Sequence, residues 1–226
     1  MTREEMRKRR KRRRRAQVFT RIVSTLLVIV ILGLLGFHLY EKSPWNKKYV
    51  ERTGAGVDEL KPDIQVELLS QNPHSRPGFR TERIRGIVIH YTANPGSTAM
   101  QNRNYFEGLK DTGLTDASSH FIVGLEGEIV QCVPTNEVAY ASNNRNSDTI
   151  SIETCHWNED GAYTEETYES MVQLTAWLCK KFDLTEEDVI RHYDVTGKNC
   201  PKYFVENEEA FQVFREDISN ALAKAE

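Results

Sequence analysis

Three residues of types that commonly bind zinc lie in two separate segments of the chain. His90 ends a short apolar run, whereas His192 and Cys200 lie eight residues apart in the segment RHYDVTGKNCP, residues 191–201. Histidine nitrogen and cysteine sulfur are favourable zinc ligands, and three protein ligands leave a fourth position for water, as in catalytic zinc sites. The spacing alone does not bring His90 near the other two, and a single histidine at a strand end more often has a structural role.

Two charged residues could complete such a site. Glu153 lies in the otherwise largely apolar segment TISIET, residues 149–154, where a carboxylate costs free energy unless it has a partner or a chemical role. We interpret Glu153 either as part of a solvated face or as a general base that activates a water molecule. Lys198 precedes Cys200 by two residues, so its ammonium group could stabilise an oxyanion in the same site.

Short apolar segments predict the strands that would carry these residues. The continuous apolar run GIVIHY, residues 86–91, predicts a strand that is buried on both faces. Residues 119–133 predict a β-hairpin that turns at residues 125–127, and the alternating residues 149–154 predict another strand. Binding sites in such sheets gather at strand ends, which favours a functional role for His90.

Helix signals lie between and after the predicted strands. A cap at Ser97 or Thr98 predicts a helix that runs to about Lys110, and apolar residues at helical spacing predict helices over 164–182 and 208–223. The order strand, helix, hairpin, strand, helix, helix therefore predicts an α/β fold in which a mixed central β-sheet is flanked by helices.

The N-terminal forty residues differ in composition from the rest of the chain. Residues 1–21 hold 11 of the 30 Lys and Arg, and the remainder carries 19 basic and 31 acidic residues. Residues 22–40 contain no acid, lysine or arginine, and a helix of this length spans roughly 30 Å, the thickness of a bilayer core. We interpret this segment as a transmembrane signal anchor. A cleaved signal peptide is the alternative, but no small-x-small cleavage site follows the apolar run.

The basic cluster beside the apolar run predicts the topology, because basic residues resist translocation. We expect a single-pass protein of the cell membrane with a cytoplasmic tail at 1–21, the anchor at 22–40, a stem or linker at 41–83 and an extracellular domain at 84–226. Near the end of the stem, three apolar residues can pack on that domain, namely Val66, Leu68 and Leu69. No nucleic-acid partner is expected, since no folded reader module accompanies the arginines.

Four segments together resemble the zinc amidases of the N-acetylmuramoyl-L-alanine amidase type 2 family, which includes phage lysins and peptidoglycan recognition proteins. The resemblance extends over about residues 84–214 and is most specific in the last segment, which has the family's histidine, then lysine six residues on and the third ligand eight residues on. The segments are VIHYT at 88–92, SSHFIVGLEGEIVQCVP at 118–134, TISIET at 149–154 and RHYDVTGKNCP at 191–201.

The resemblance implies a role for each of the residues introduced above. By similarity to the family, His90, His192 and Cys200 are expected to bind Zn²⁺. Glu153 matches the glutamate that acts as the general base in one branch of the family. Lys198 matches the lysine that helps to stabilise the tetrahedral intermediate.

Two further histidines are expected to contact substrate, namely His120 in the hairpin and His156 after the last of these strands. For His120, a structural role in the hairpin is the alternative. Some family members use a tyrosine just before the hairpin histidine, where this chain has Ser119. This departure favours Glu153 over a tyrosine as the proton acceptor.

The function that the resemblance implies is hydrolysis of the amide between the lactyl group of N-acetylmuramic acid and the L-alanine of peptidoglycan stem peptides, for remodelling of the cell wall. Two alternatives remain open. Some relatives bind muropeptides without cutting them, so the domain could be a receptor. The anchor and the basic tail could also make the chain a membrane-anchored scaffold.

Overall fold

The computed structural model describes residues 3–41, 49–81 and 83–224. The chain divides into two compact units, Met1–Lys47 and Lys48–Glu226. In the first unit, helix α1 covers Arg3–Glu41. Within its stretch Arg10–Gly36, an 18-residue window has a mean hydropathy of 2.5, so the helix is long and apolar enough to cross a membrane. Signal sequences share this property.

Among the described residues, the second unit contains one six-stranded sheet and six further helices. The strands are β1 (Gln65–Val66), β2 (Gly86–Ile89), β3 (Phe121–Val123), β4 (Ile129–Gln131), β5 (Thr149–Thr154) and β6 (Val189–Arg191). The helices are α2 (Ala55–Asp58), α3 (Ala99–Thr112), α4 (Glu165–Phe182), α5 (His192–Thr196), α6 (Lys202–Glu206) and α7 (Glu208–Lys224).

The strand order is β1-β4-β3-β5-β2-β6. The hairpin of β3 and β4 is antiparallel, whereas the other neighbouring pairs are parallel. The sheet is therefore mixed and flanked by helices, which confirms the predicted fold class.

Both faces of the sheet are buried. On one face, the branched side chains of β2 and β5 pack with residues of α4 and α7. On the other face, Phe106 and Leu109 of α3 pack with residues of the hairpin. Burial on both faces explains why β2 reads as a continuous apolar run rather than as an alternating one. All four cysteines are buried and unpaired, and Cys179 packs among the apolar residues of α4.

Parallel pairing brings the ends of three strands together. Ile89 of β2 lies beside Ile152 of β5 on one side and Arg191 of β6 on the other. The next residues along β2 and β6 are His90 and His192, and Glu153 follows Ile152 in β5. The carboxyl ends of parallel strands meet at one edge of a sheet, so the fold gathers residues that lie up to about 100 positions apart in the sequence.

Local signals set the helix limits close to those predicted. Thr98 and Gln101 form a capping box at the start of α3, and Gly113 ends the helix with φ +58°. Helix α5 was not predicted, because five residues are too few to show a helical period. The backbone N–H of Arg191 donates to Asp194 Oδ2 at 2.8 Å and so stabilises the first turn of α5.

The segment 41–83, predicted to be a stem, packs on the domain over much of its length. Strand β1 extends the sheet beside β4. Of the three stem residues expected to pack on the domain, Leu69 is only 1% exposed, whereas Val66 and Leu68 are exposed, at 61% and 37%. Farther back, Tyr49 packs against Phe182, and the N–H of Arg52 donates to the carbonyl of Lys181 at 2.8 Å. The compact unit thus begins earlier than residue 84. The sequence did not predict this limit, because isolated contacts of this kind leave no periodic pattern.

Candidate metal centre

The three predicted ligands come together at the edge of the sheet. One ligand atom from each of His90, His192 and Cys200 lies within 4.8 Å of the other two. His90 Nδ1 is 3.9 Å from Cys200 Sγ, and the two imidazole centroids are 4.6 Å apart. All three residues are buried, with exposed fractions of 2%, 7% and 2% in that order.

The backbone around each ligand is fixed by hydrogen bonds. The N–H of His90 donates to the carbonyl of Ile152 at 2.8 Å, and Thr154 Oγ1 donates to the carbonyl of His90 at 2.8 Å. On the other side, the N–H of Tyr193 donates to the carbonyl of Cys200 at 2.8 Å. The sheet therefore holds His90, and the segment from α5 to Pro201 folds back to place Cys200 beside it.

Two residues that sequence analysis did not identify contact the histidines. Ser142 Oγ lies 3.1 Å from His90 Nε2, and Asn143 Oδ1 lies 2.9 Å from His192 Nε2. Both belong to the connection between β4 and β5. The asparagine-rich run SNNRN at 142–146 is their only signal in the sequence, and such a run is typical of any turn.

Electrostatics favour uncharged histidines in this site. Burial, together with the neighbouring His192 and the ammonium of Lys198, holds the pKa of His90 well below its usual value. Burial and Lys198 also lower the pKa of His192. Both rings are thus neutral at neutral pH, which leaves one nitrogen of each with a lone pair for a cation.

The cysteine has the opposite requirement. Burial raises the pKa of Cys200 to about 12, and the charge of Glu153 adds to the rise, while the backbone N–H of Tyr91 and the charge of Lys198 oppose it. A buried thiolate is unfavourable without a positive partner, and a coordinated divalent cation deprotonates a thiol outright. The site therefore has two neutral imidazoles and a cysteine sulfur whose thiolate form is stable only beside a cation.

This donor set fits zinc. Zinc takes tetrahedral sites of imidazole nitrogen and thiolate sulfur, and bonds of about 2.0–2.3 Å place neighbouring ligand atoms about 3.4–3.6 Å apart. The 3.9 Å between His90 Nδ1 and Cys200 Sγ is within about 0.4 Å of that separation. A set of two histidines and one cysteine also leaves a position open for a reacting molecule, as catalytic rather than structural zinc sites do.

Glu153 lies at the same edge, and one oxygen of its carboxyl group has no hydrogen-bond partner among the described residues. The residue keeps some solvent exposure, but this atom, Oε2, is buried. Burial raises the pKa of Glu153 to about 8, although the charge of Lys198 acts in the other direction. A buried carboxyl group whose pKa lies near neutrality is well suited to accept and return a proton.

Lys198 is an exposed residue of the segment that ends at Cys200. Its charge influences the pKa values of His90, His192, Glu153 and Cys200. A cation that acts on all four groups is placed to interact with negative charge that develops between them.

The two histidines expected to contact substrate differ from each other. His120 is 1% exposed; its Nδ1 accepts from the N–H of Ser151 at 3.0 Å and its Nε2 donates to the carbonyl of Glu137 at 2.9 Å. Both nitrogens are thus occupied, which favours the structural alternative. His156 stacks on Tyr91 with ring centroids 5.1 Å apart, and its buried Nε2 has no partner among the described residues.

Comparisons with known proteins identify the family of the chain. Residues 80–203 match the protein-family profile described as N-acetylmuramoyl-L-alanine amidase. A "Probable N-acetylmuramoyl-L-alanine amidase" of Bacillus licheniformis is 34% identical over 68% of this chain and 46% of its own length. The amidase CwlL of the same species is 36% identical over 70% of this chain and 47% of its own. The chain thus spans about half the length of the curated relatives it matches.

Solved structures share the fold. The catalytic domain of XlyA superposes with a TM-score of 0.58 and 25% identity, over 68% of this chain and 99% of that domain. PlyL superposes with a TM-score of 0.60 and 21% identity, over 70% of this chain and 97% of PlyL. On the extent of the profile match and the identity to these relatives, the chain belongs to the N-acetylmuramoyl-L-alanine amidase family.

Proposed function

We propose that the chain is a zinc-dependent N-acetylmuramoyl-L-alanine amidase that hydrolyses the amide between the lactyl group of N-acetylmuramic acid and the L-alanine of peptidoglycan stem peptides. The observation that carries the proposal is the convergence of His90, His192 and Cys200 at the sheet edge that also holds Glu153, whose buried Oε2 lacks a partner. The names of the similar proteins support the same reaction class.

Each group of the site has a task in this reaction. When bound to His90, His192 and Cys200, zinc would supply a Lewis acid that lowers the pKa of water toward neutrality. Glu153 accepts the proton of the attacking water and returns it to the leaving amine, for which a pKa of about 8 suits both directions. Lys198 stabilises the negative charge that develops on the carbonyl oxygen of the substrate.

The same proposal includes a place of action. We assign the basic residues 1–21 to the cytoplasm, 22–40 to a membrane anchor and the domain that carries the site to the extracellular side, where its peptidoglycan substrate lies. Helix α1 supports a span by its length and apolarity. An anchored enzyme would act on wall close to the membrane, which suits limited remodelling.

Product analysis tests the reaction. The full chain, purified in detergent, is incubated with peptidoglycan and the soluble products are identified by mass spectrometry. We expect free stem peptides that begin with L-alanine, and loss of these products in Glu153→Ala and Cys200→Ala but not in the surface control Glu126→Ala. Binding of muropeptides without cleavage would refute the enzyme and leave a receptor or scaffold.

A further inference from the structure

The connection between β4 and β5 carries two adjacent side chains, each of which contacts a different histidine of the site. Ser142 is 1% exposed and its Oγ lies 3.1 Å from His90 Nε2. Asn143 Oδ1 lies 2.9 Å from His192 Nε2. In both histidines the contact is made by Nε2, so both rings keep Nδ1 for another partner.

The chemistry of Asn143 decides which nitrogen of His192 carries the proton. An amide oxygen can only accept a hydrogen bond, so Nε2 of His192 must be the donor. A neutral imidazole has one N–H, and the lone pair of His192 therefore lies on Nδ1. For His90, the hydroxyl of Ser142 can donate or accept and so holds Nε2 without choosing the tautomer, while Nδ1 is the atom that lies 3.9 Å from Cys200 Sγ.

The backbone of this connection is held in an unusual conformation by several hydrogen bonds. Asn143 has φ +53°, a left-handed conformation that asparagine adopts more readily than most residues. Asn146 Oδ1 accepts the N–H groups of Ala141 at 3.1 Å and Ser142 at 2.6 Å. Thr149 Oγ1 donates to the carbonyl of Arg145 at 2.7 Å. Strained backbone that is fixed by its surroundings in this way is common at functional sites.

We propose that Ser142 and Asn143 are positioning residues for the metal. Both fix the ring orientation of a histidine so that it presents Nδ1, and Asn143 also fixes the tautomer of His192. The inference rests on the proposed zinc site. Partners of this kind on the second nitrogen of a ligating histidine typically contribute 10–100-fold to metal affinity. The fold of the connection is held by Asn146, so removal of the Asn143 side chain should spare it.

Variants of Asn143 in the full chain, purified in detergent, test the positioning role. Asn143→Gly tolerates the left-handed backbone and removes the acceptor, whereas Asn143→Asp keeps an acceptor oxygen. Asn144→Gly is the matched control, because Asn144 is the next residue and is exposed like Asn143, but its side chain is not among those that contact the two histidines. Zinc affinity is measured by competition with a chromophoric chelator, and the tautomer of His192 in the metal-free protein by ¹⁵N chemical shifts of the imidazole.

We expect Asn143→Gly to bind zinc about 10–100-fold more weakly and to lose the preference for the Nε2–H tautomer of His192. Asn143→Asp should stay within a few-fold of the wild-type affinity, and Asn144→Gly should equal the wild type. Ser142→Ala should weaken zinc binding in the same direction and thus provides a second variant if Asn143→Gly does not fold.

Two outcomes would overturn the inference in different ways. If the wild type binds zinc and folded Asn143→Gly binds it equally well with an unchanged tautomer, the positioning role is wrong while the proposed metal site stands. If the wild type binds no zinc, the proposed metal site itself fails and the inference fails with it.

Discussion

The buried carboxyl group of Glu153 predicts that a neutral isostere stabilises the metal-free protein. Glu153→Gln removes the charge and keeps the shape of the side chain. The wild-type carboxyl has a folded-state pKa of about 8, raised from 4.5 by burial. Between these two values the folded state binds more protons than the unfolded state, so the free energy of unfolding falls as the pH rises.

The gain in stability expected for Glu153→Gln follows from the pKa shift of Glu153. At about 1.4 kcal/mol per unit of pKa, a rise from 4.5 to about 8 corresponds to at most about 5 kcal/mol at and above pH 8. Water can reach part of the residue, which reduces the penalty for a buried charge, so we expect about 2–4 kcal/mol. For a unit of this size, that difference raises the melting temperature by roughly 5–15 °C. Below pH 4.5 both forms are neutral and the difference vanishes.

The assay is thermal unfolding of chelator-treated full-length protein in detergent, followed by near-ultraviolet circular dichroism between pH 4 and pH 9. The melting temperature of Glu153→Gln should equal that of the wild type near pH 4 and should exceed it by a growing amount as the pH rises to 8. Bound zinc should reduce the difference in melting temperature between the two proteins, because a nearby cation favours the ionised carboxylate. Glu126→Gln removes an exposed carboxyl group and is the control for a general change of charge.

Two results would refute this reasoning: a difference in melting temperature between Glu153→Gln and the wild type that is equal at all pH values, or one that is absent at pH 8 and above. The first result would mean that the substitution alters packing rather than charge. The second would mean that Glu153 is ionised at little cost, in which case it is solvated like a surface residue and the argument for a buried general base fails.

Two other residues give sharp predictions. Lys198→Met should lower kcat about 10²–10³-fold, as measured by release of stem peptides. The zinc content should be unchanged, because Lys198 is not a proposed ligand. An unchanged kcat would contradict a role in oxyanion stabilisation. His120→Ala should lower the free energy of unfolding by about 1–3 kcal/mol, because its two nitrogens bond buried backbone groups. The folded fraction of His120→Ala should keep the KM of the wild type, and a raised KM with unchanged stability would restore His120 as a substrate contact.

Local patterns were sufficient to predict the elements that carry the site. The alternation in residues 149–154 predicted β5 with its limits as observed. A cap at Ser97 or Thr98 predicted the start of α3, and Thr98 is the residue that caps it. The spacing of Lys198 and Cys200 behind His192 has a meaning only by resemblance to a family, because no local pattern can show that His90 lies 3.9 Å from Cys200. Parallel pairing of β2 with β5 and β6 creates that proximity.

The features that sequence analysis missed depend on contacts between distant segments. Asn143 acts through a bond to His192, which lies in another part of the chain. The two occupied nitrogens of His120 are likewise visible only once Ser151 and Glu137 surround it. The packing of Tyr49 on Phe182 is of the same kind, since single tertiary contacts leave no periodicity to detect.

The measurement that tests the central claim most directly is a titration of chelator-treated full-length protein with zinc, in which bound metal and the release of stem peptides from peptidoglycan are followed together. The account predicts negligible cleavage without zinc, a rise in proportion to bound zinc, and saturation at one zinc per chain. Full cleavage by the metal-free protein, or no cleavage by protein that carries one zinc, would contradict it.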